Sequence, residues 1–422
     1  MNRSHRRPLR LVAPLVALAV LGVACGGNEE DDKAAVRGDS EQAAGATNTP
    51  ESADTKGPET QAAQLRSTLT GIFQEHVVLA ASATGAALGG RQDEFTAAAA
   101  ALDANSNTLT EAITGVFGAE AGQAFDPLWK KHIGFVVDYT QGLGAKDKAK
   151  QDKAVTDLVN YTNDFGAFLN SALPDLPAAA VADLVKTHIL TLKDVIDAQA
   201  ANDQVKVYTN LRAAAHHMGM IAEPLAGAIA KRFPDKVSGD ASSPAAGLVT
   251  TLNSALSEHV ILASAATGAA LGGRQDEFVA AAGALDANSN DVTAAIGSVY
   301  GDEAGQAFDP LWKKHIGFVV DYTQGLGTND KAKQDRAVTD LVNYTKDFGA
   351  FLSSASPALP ADAVADLVKT HILTLKDVID AQAVKDFTKA YTALRSSAHH
   401  MSMIGTPLAS TIVKQFPDKF AV

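Results

Sequence analysis

Cysteine occurs once in 422 residues, at Cys25, so no disulfide can form within the chain and its stability must come from the packing of apolar side chains. Aromatic residues make up only 6%, with two tryptophans, and no stretch alternates apolar and polar residues as a half-buried strand does. An alanine-rich chain of this kind excludes sheet architectures and predicts an all-α fold. No zinc-binding cysteine spacing, phosphate-binding glycine loop or Ser/His/Asp arrangement is present, and Gly89-Gly90-Arg91 reads as a helix stop. Basic residues are also outnumbered, 36 against 48 acidic ones. The net charge of −12 makes nucleic acid and anionic lipid surfaces poor candidates as partners.

The N-terminus reads as an export signal. Arg3, Arg6, Arg7 and Arg10 precede the apolar run Leu11–Val23, which is too short for a mature membrane span. The stretch Leu21-Gly22-Val23-Ala24-Cys25 is similar to a bacterial lipobox, with glycine at the position where leucine is usual. That likeness implies removal of residues 1–24 and lipidation of Cys25, which would hold the protein outside the cytoplasm by acyl chains alone. Losing four arginines takes the charge from −12 to −16. Residues 25–61 are polar and aperiodic, the composition of a disordered tether with a reach of about 30–35 Å.

Beyond the tether the chain is written twice. GQAFDPLWKKHIGFVVDYTQGLG at 122–144 returns unchanged at 305–327, and the Ser/Gly/Pro segment 237–246 separates the copies. The expectation is two tandem antiparallel helical bundles, residues 62–236 and 247–422, each large enough to close its own core. Within a copy His76, His132 and His188 stand 56 apart, and His216 follows at half that interval. This period predicts three helical hairpins, about six helices, per copy.

Histidine and methionine are rationed. Apart from Met1 and His5, the first copy holds His76, His132, His188, His216, His217, Met218 and Met220. The second holds His259, His315, His371, His399, His400, Met401 and Met403, each a constant 183 positions later, as 259 stands to 76. His76, His132 and His188 sit mid-helix in apolar stripes of three-and-four spacing, so they are expected to meet at one level of a bundle. His217 and Met218 continue the stripe of the last helix, and His216 and Met220 share its edge as an i, i+4 pair. Burying several imidazoles without a common partner costs about 1–3 kcal/mol for each unpaired nitrogen, and a metal ion satisfies them together.

All fourteen residues are therefore candidate metal ligands. Imidazole suits zinc, copper, iron and nickel, while thioether turns the choice toward copper. Glu75 and Glu258 lie about 100° round the helix from the neighbouring histidines, placing them in supporting positions. Asn105 and Asn160, at the half-period positions of the first two hairpins, are supporting candidates too.

The order Glu75-His76, Lys131-His132, Thr187-His188, closed by a methionine-bearing helix, resembles a group of secreted bacterial helical-hairpin proteins. The histidine placement is also loosely similar to hemerythrin-like bundles, without their inward carboxylates. The reading is an exported metal-binding lipoprotein for buffering, storage or delivery. The alternatives are a haem or non-haem-iron redox protein and a cofactor-free adhesion or scaffold module.

Overall fold

The computed structural model describes residues 56–421, and the signal segment with Cys25 lies outside them. The described chain is all-α. In the first repeat, α1 (Gln61–Leu88), α2 (Gln92–Phe117), α3 (Ala119–Gly144), α4 (Lys148–Ala172), α5 (Ala178–Ala200) and α6 (Gln204–Arg232) pack as antiparallel neighbours. The second repeats this as α7 (Pro244–Leu271), α8 (Gln275–Tyr300), α9 (Asp302–Gly327), α10 (Lys331–Ala355) and α11 (Ala361–Ala383). Its sixth helix is interrupted at Met401, whose N–H bonds Ala398 O three residues back, dividing it into α12 (Phe387–His400) and α13 (Ser402–Gln415). The short α14 (Pro417–Phe420) ends the described chain. No helix among the described residues is long and apolar enough to cross a membrane.

The hairpin period has a backbone cause. The turns closing the three hairpins each contain one left-handed residue: Gly90, Lys146 and Asn202 in the first copy, Gly273, Asn329 and Lys385 in the second. An aspartate, Asp147 or Asp203, then caps the next helix by accepting the backbone N–H three residues on. One reversal thus recurs every 56 residues and returns each odd-numbered helix to the same direction.

α1 is buried on nearly all sides, because it packs against α2, α5 and α6 and also against α7 of the other copy. Its run Ala80-Ala81-Ser82-Ala83-Thr84-Gly85 keeps the side chains small where helices approach. Here the structure departs from the expectation of two self-contained bundles: α1 and α7 lie side by side and the buried residues of both repeats form one continuous core. α2 and α6 further contact α12 and α8.

Two expected boundaries shift for the same reason. α7 begins at Pro244, within the segment read as linker, because Ser243 caps it by accepting from Ala246 N. Gly57 and Pro58, at the end of the expected tether, are buried, and Ser243 Oγ donates to Lys56 O at 2.9 Å.

Candidate metal centre

His76 lies at mid-length of α1, His132 of α3 and His188 of α5, the three helices that the hairpin period makes parallel. Each offers one nitrogen, and the three nitrogens lie within 4.8 Å of one another. His259 on α7, His315 on α9 and His371 on α11 repeat the cluster. All six side chains are buried.

The closest approach is Nε2 to Nε2, 3.3 Å for His132 and His76 and 3.2 Å for His315 and His259. Two nitrogens on one tetrahedral ion with bonds of about 2.0–2.1 Å stand roughly 3.3–3.4 Å apart, so this pair already has the spacing of a shared ligand set.

The remaining ring nitrogens fix the tautomers. His132 Nδ1 faces Trp129 O at hydrogen-bond distance, so Nδ1 carries the proton and Nε2 presents its lone pair to the cluster. In the second repeat the Trp312 carbonyl exerts the same influence on His315 without reaching full hydrogen-bond geometry. Nδ1 of His76, His188, His259, His315 and His371 has no hydrogen-bond partner. Five buried nitrogens left this way cost about 1–3 kcal/mol each.

Around the cluster the wall is aromatic. Trp129 lies against His76 and His132 at centroid distances of 4.8 and 4.6 Å, and Tyr161 of α4 stacks on His132 at 5.2 Å. Trp129 is held by its indole N–H on Ser106 Oγ at 3.2 Å. Trp312, Tyr344 and Ser289 reproduce the arrangement. The three imidazoles, Met218 and apolar side chains enclose a cavity of about 40 Å³.

This surrounding sets the charge. Burial holds His132 and His315 down to about 4, a carbonyl contact offsetting part of the effect. Burial and then the neighbouring histidines hold His188 and His371 at about 3, and His76 and His259 well below the ordinary range. All six are neutral ligands at neutral pH.

The metal-free protein should therefore be acid-labile. Below pH about 6.5 the unfolded chain takes up protons that the folded core refuses, so stability falls with pH until the folded values are reached. Each buried histidine forfeits about 1.4 kcal/mol for every pH step of one below that point, or several kcal/mol per repeat by pH 4. Urea midpoints measured in chelator should fall steeply over that window, and a flat profile would contradict a buried neutral triad.

The other candidates divide. Met218 is 2% exposed and borders the cavity, and Met401, also 2% exposed, is its counterpart. His217 is buried but stands outside the triad, its Nε2 donating to Leu184 O at 2.9 Å, one turn before His188; His400 does the same to Leu367 O at 3.0 Å. The sequence expectation that a fourth histidine joins the set is corrected to a bracing role on α5 and α11.

Met220 and Met403 are 61% and 57% exposed, and the structure does not bring them to the cluster. His216 and His399 are half exposed and face the other repeat, at 3.2 Å from Glu258 and 3.3 Å from Glu75. Glu75 and Glu258 likewise serve the seam between repeats rather than the histidines. Each receives a two-pronged bond from an arginine of the other copy, Arg395 and Arg212, at 3.0 and 3.2 Å. Burial alone would raise these carboxyls, but the histidine and arginine bonds outweigh it and hold both at about 2.

Asn105 is buried and donates to Ile72 O and to Glu75, bracing α1 one turn before His76. Asn160 is exposed; its neighbour Tyr161 is the inward residue, one position and about 100° away. Tyr161 and Tyr344 are the wall residues that the histidine period missed, because α4 and α10 carry no histidine to mark them.

The described residues bring together no carboxylate with the triads. No family model, curated protein or solved structure matches this chain.

Proposed function

We propose that each repeat binds one transition-metal ion through its histidine triad, copper being favoured, in an exported lipoprotein that buffers, stores or delivers the metal. The observation that carries this reading is the convergence of three buried, neutral imidazoles to within 4.8 Å, made twice in one chain. His76, His132 and His188 would hold the ion in the first copy and His259, His315 and His371 in the second. Bound there, a redox-active ion would supply electron exchange in a dry aromatic cage, and a redox-inert one only storage.

Copper is preferred because the fourth group at the cavity is the Met218 thioether, a soft ligand that suits copper(I). At the first triad a porphyrin is disfavoured, since about 40 Å³ is far below the few hundred that a ligand of that size occupies. A carboxylate-bridged di-iron centre is disfavoured because Glu75 and Glu258 are committed to arginines of the opposite repeat.

Anaerobic copper(I) titration against a competing chelator is expected to give two equivalents per chain. Met218→Leu with Met401→Leu should weaken copper(I) by about 10–100-fold while leaving zinc nearly unchanged. One equivalent, or none, would overturn the two-site reading. Anchoring is tested separately: Cys25→Ser should move the protein from the membrane fraction to the medium, and its retention would remove the lipoprotein assignment.

A further inference from the structure

The largest cavity among those described lies at neither triad. About 430 Å³ in volume, it sits in the seam where α1 and α6 face α7 and α12, a size typical of sites for small organic molecules. Its lining obeys the internal duplication, so equivalent residues contribute in pairs: Arg91 and Arg274, Glu94 and Glu277, Tyr208 and Tyr391.

The chemistry of this lining is graded. Val78 and Leu211 of one repeat and Ile261 and Leu394 of the other supply apolar wall. Polar groups stand in pairs: Arg91 Nε bonds Glu94 at 2.7 Å and Arg274 Nε bonds Glu277 at 2.7 Å, with the buried Tyr208 and half-buried Tyr391 nearby. With Asp93 and Lys385 the lining carries three acidic and three basic side chains. A balanced wall gives no net attraction to a strong anion or cation, and a charged guest would give up hydration for nothing.

The walls are also fixed in place. Gln199 donates to Ala81 O at 2.8 Å and accepts from Thr84 Oγ at 2.8 Å, which pins its amide across Gly85. Gln382 repeats this with Ser264 O at 2.9 Å and Thr267 Oγ at 2.9 Å, across Gly268. A Cβ at Gly85 would come within 2.9 Å of the Gln199 amide, and at Gly268 within 3.0 Å of that of Gln382. Glycine at both positions lets the amides lie flat against α1 and α7. The space is thus preformed, which lowers the ordering cost of binding.

We infer that this seam is a binding site for one small, overall neutral molecule with an apolar body and hydrogen-bonding groups. The apolar body lies between α1 and α7, and its polar groups meet the two tyrosines and the two arginine–glutamate pairs of the lining.

A trans-stilbene bearing one hydroxyl on each ring is a suitable fluorescent probe for the full-length chain. One molecule per chain is expected, because the seam is single where each triad occurs twice. Ser82→Leu with Ala265→Leu, at half-buried cavity-lining positions of α1 and α7, should fill the space and weaken the probe about tenfold or more. The circular dichroism and the metal stoichiometry should remain those of the parent.

Should that variant misfold, Tyr208→Phe with Tyr391→Phe removes only two oxygens. It should cost the diol about threefold to tenfold and leave unsubstituted stilbene unaffected. A stilbene with a carboxylate at each end should bind about tenfold more weakly than the diol. Absence of saturable binding, two molecules per chain, or unchanged diol affinity in the tyrosine variant would overturn the assignment.

Discussion

His188→Ala combined with His371→Ala is expected to abolish tight metal binding, while either substitution alone leaves one equivalent per chain. Each triad supplies only three imidazoles, so losing one leaves two nitrogens, with the Met218 thioether beside them in the first copy, around an ion that would then take water in an apolar surrounding. Altering even a supporting partner of a ligand costs about 10–100-fold in affinity, and loss of a ligand should exceed that. Stability separates this outcome from a merely structural polar core. In the parent, metal at a thousandfold excess over its dissociation constant should add about 4 kcal/mol per site, read as a rise in Tm. In the double variant metal should leave Tm unchanged. If the parent shows no metal-dependent rise, the triads are packing features and the proposed function fails.

The second large effect concerns the seam. Arg395→Met would leave Glu75 buried with its guanidinium partner gone, and Arg212→Met would do the same to Glu258. Breaking a buried pair by removing one member costs about 3–5 kcal/mol, because the remaining charge stays desolvated. His216, held above its ordinary pKa by its bond to Glu258, can compensate only when protonated, so the Arg212→Met loss should be larger at pH 8 than at pH 6. Neutralising both members, as in Arg395→Met with Glu75→Gln, should recover much of the stability. Chemical denaturation of the single and double variants measures this directly. A single-variant cost below about 1 kcal/mol would mean that the pair behaves as an exposed surface bridge.

The triads and the seam were not equally legible in the sequence. His76, His132 and His188 were readable as convergent because a 56-residue period and apolar stripes act through local geometry; the left-handed turns at Gly90, Lys146 and Asn202 are what carry that period in the backbone. Met218 was readable as inward for the same reason, being on the stripe of its helix. His217 illustrates the limit: its place on the buried stripe was readable, but its ring turns to Leu184 O rather than to the triad, a choice made between helices. Adjacent residues lie about 100° apart on a helix, so an error of one position put Asn160, rather than Tyr161, toward the centre.

The sequence by itself determined the all-α class, the duplication, the hairpin period and the three histidines of each site, since each follows from contacts within a helix or a turn. Tertiary structure alone decided that the two copies share a core, that Glu75 answers Arg395 from 320 residues away, and that a cavity lies between them. Those facts depend on which face of α1 meets α7. α1 is apolar or small on nearly every side, so its own pattern names no preferred neighbour, and only the packing of the whole chain selects one.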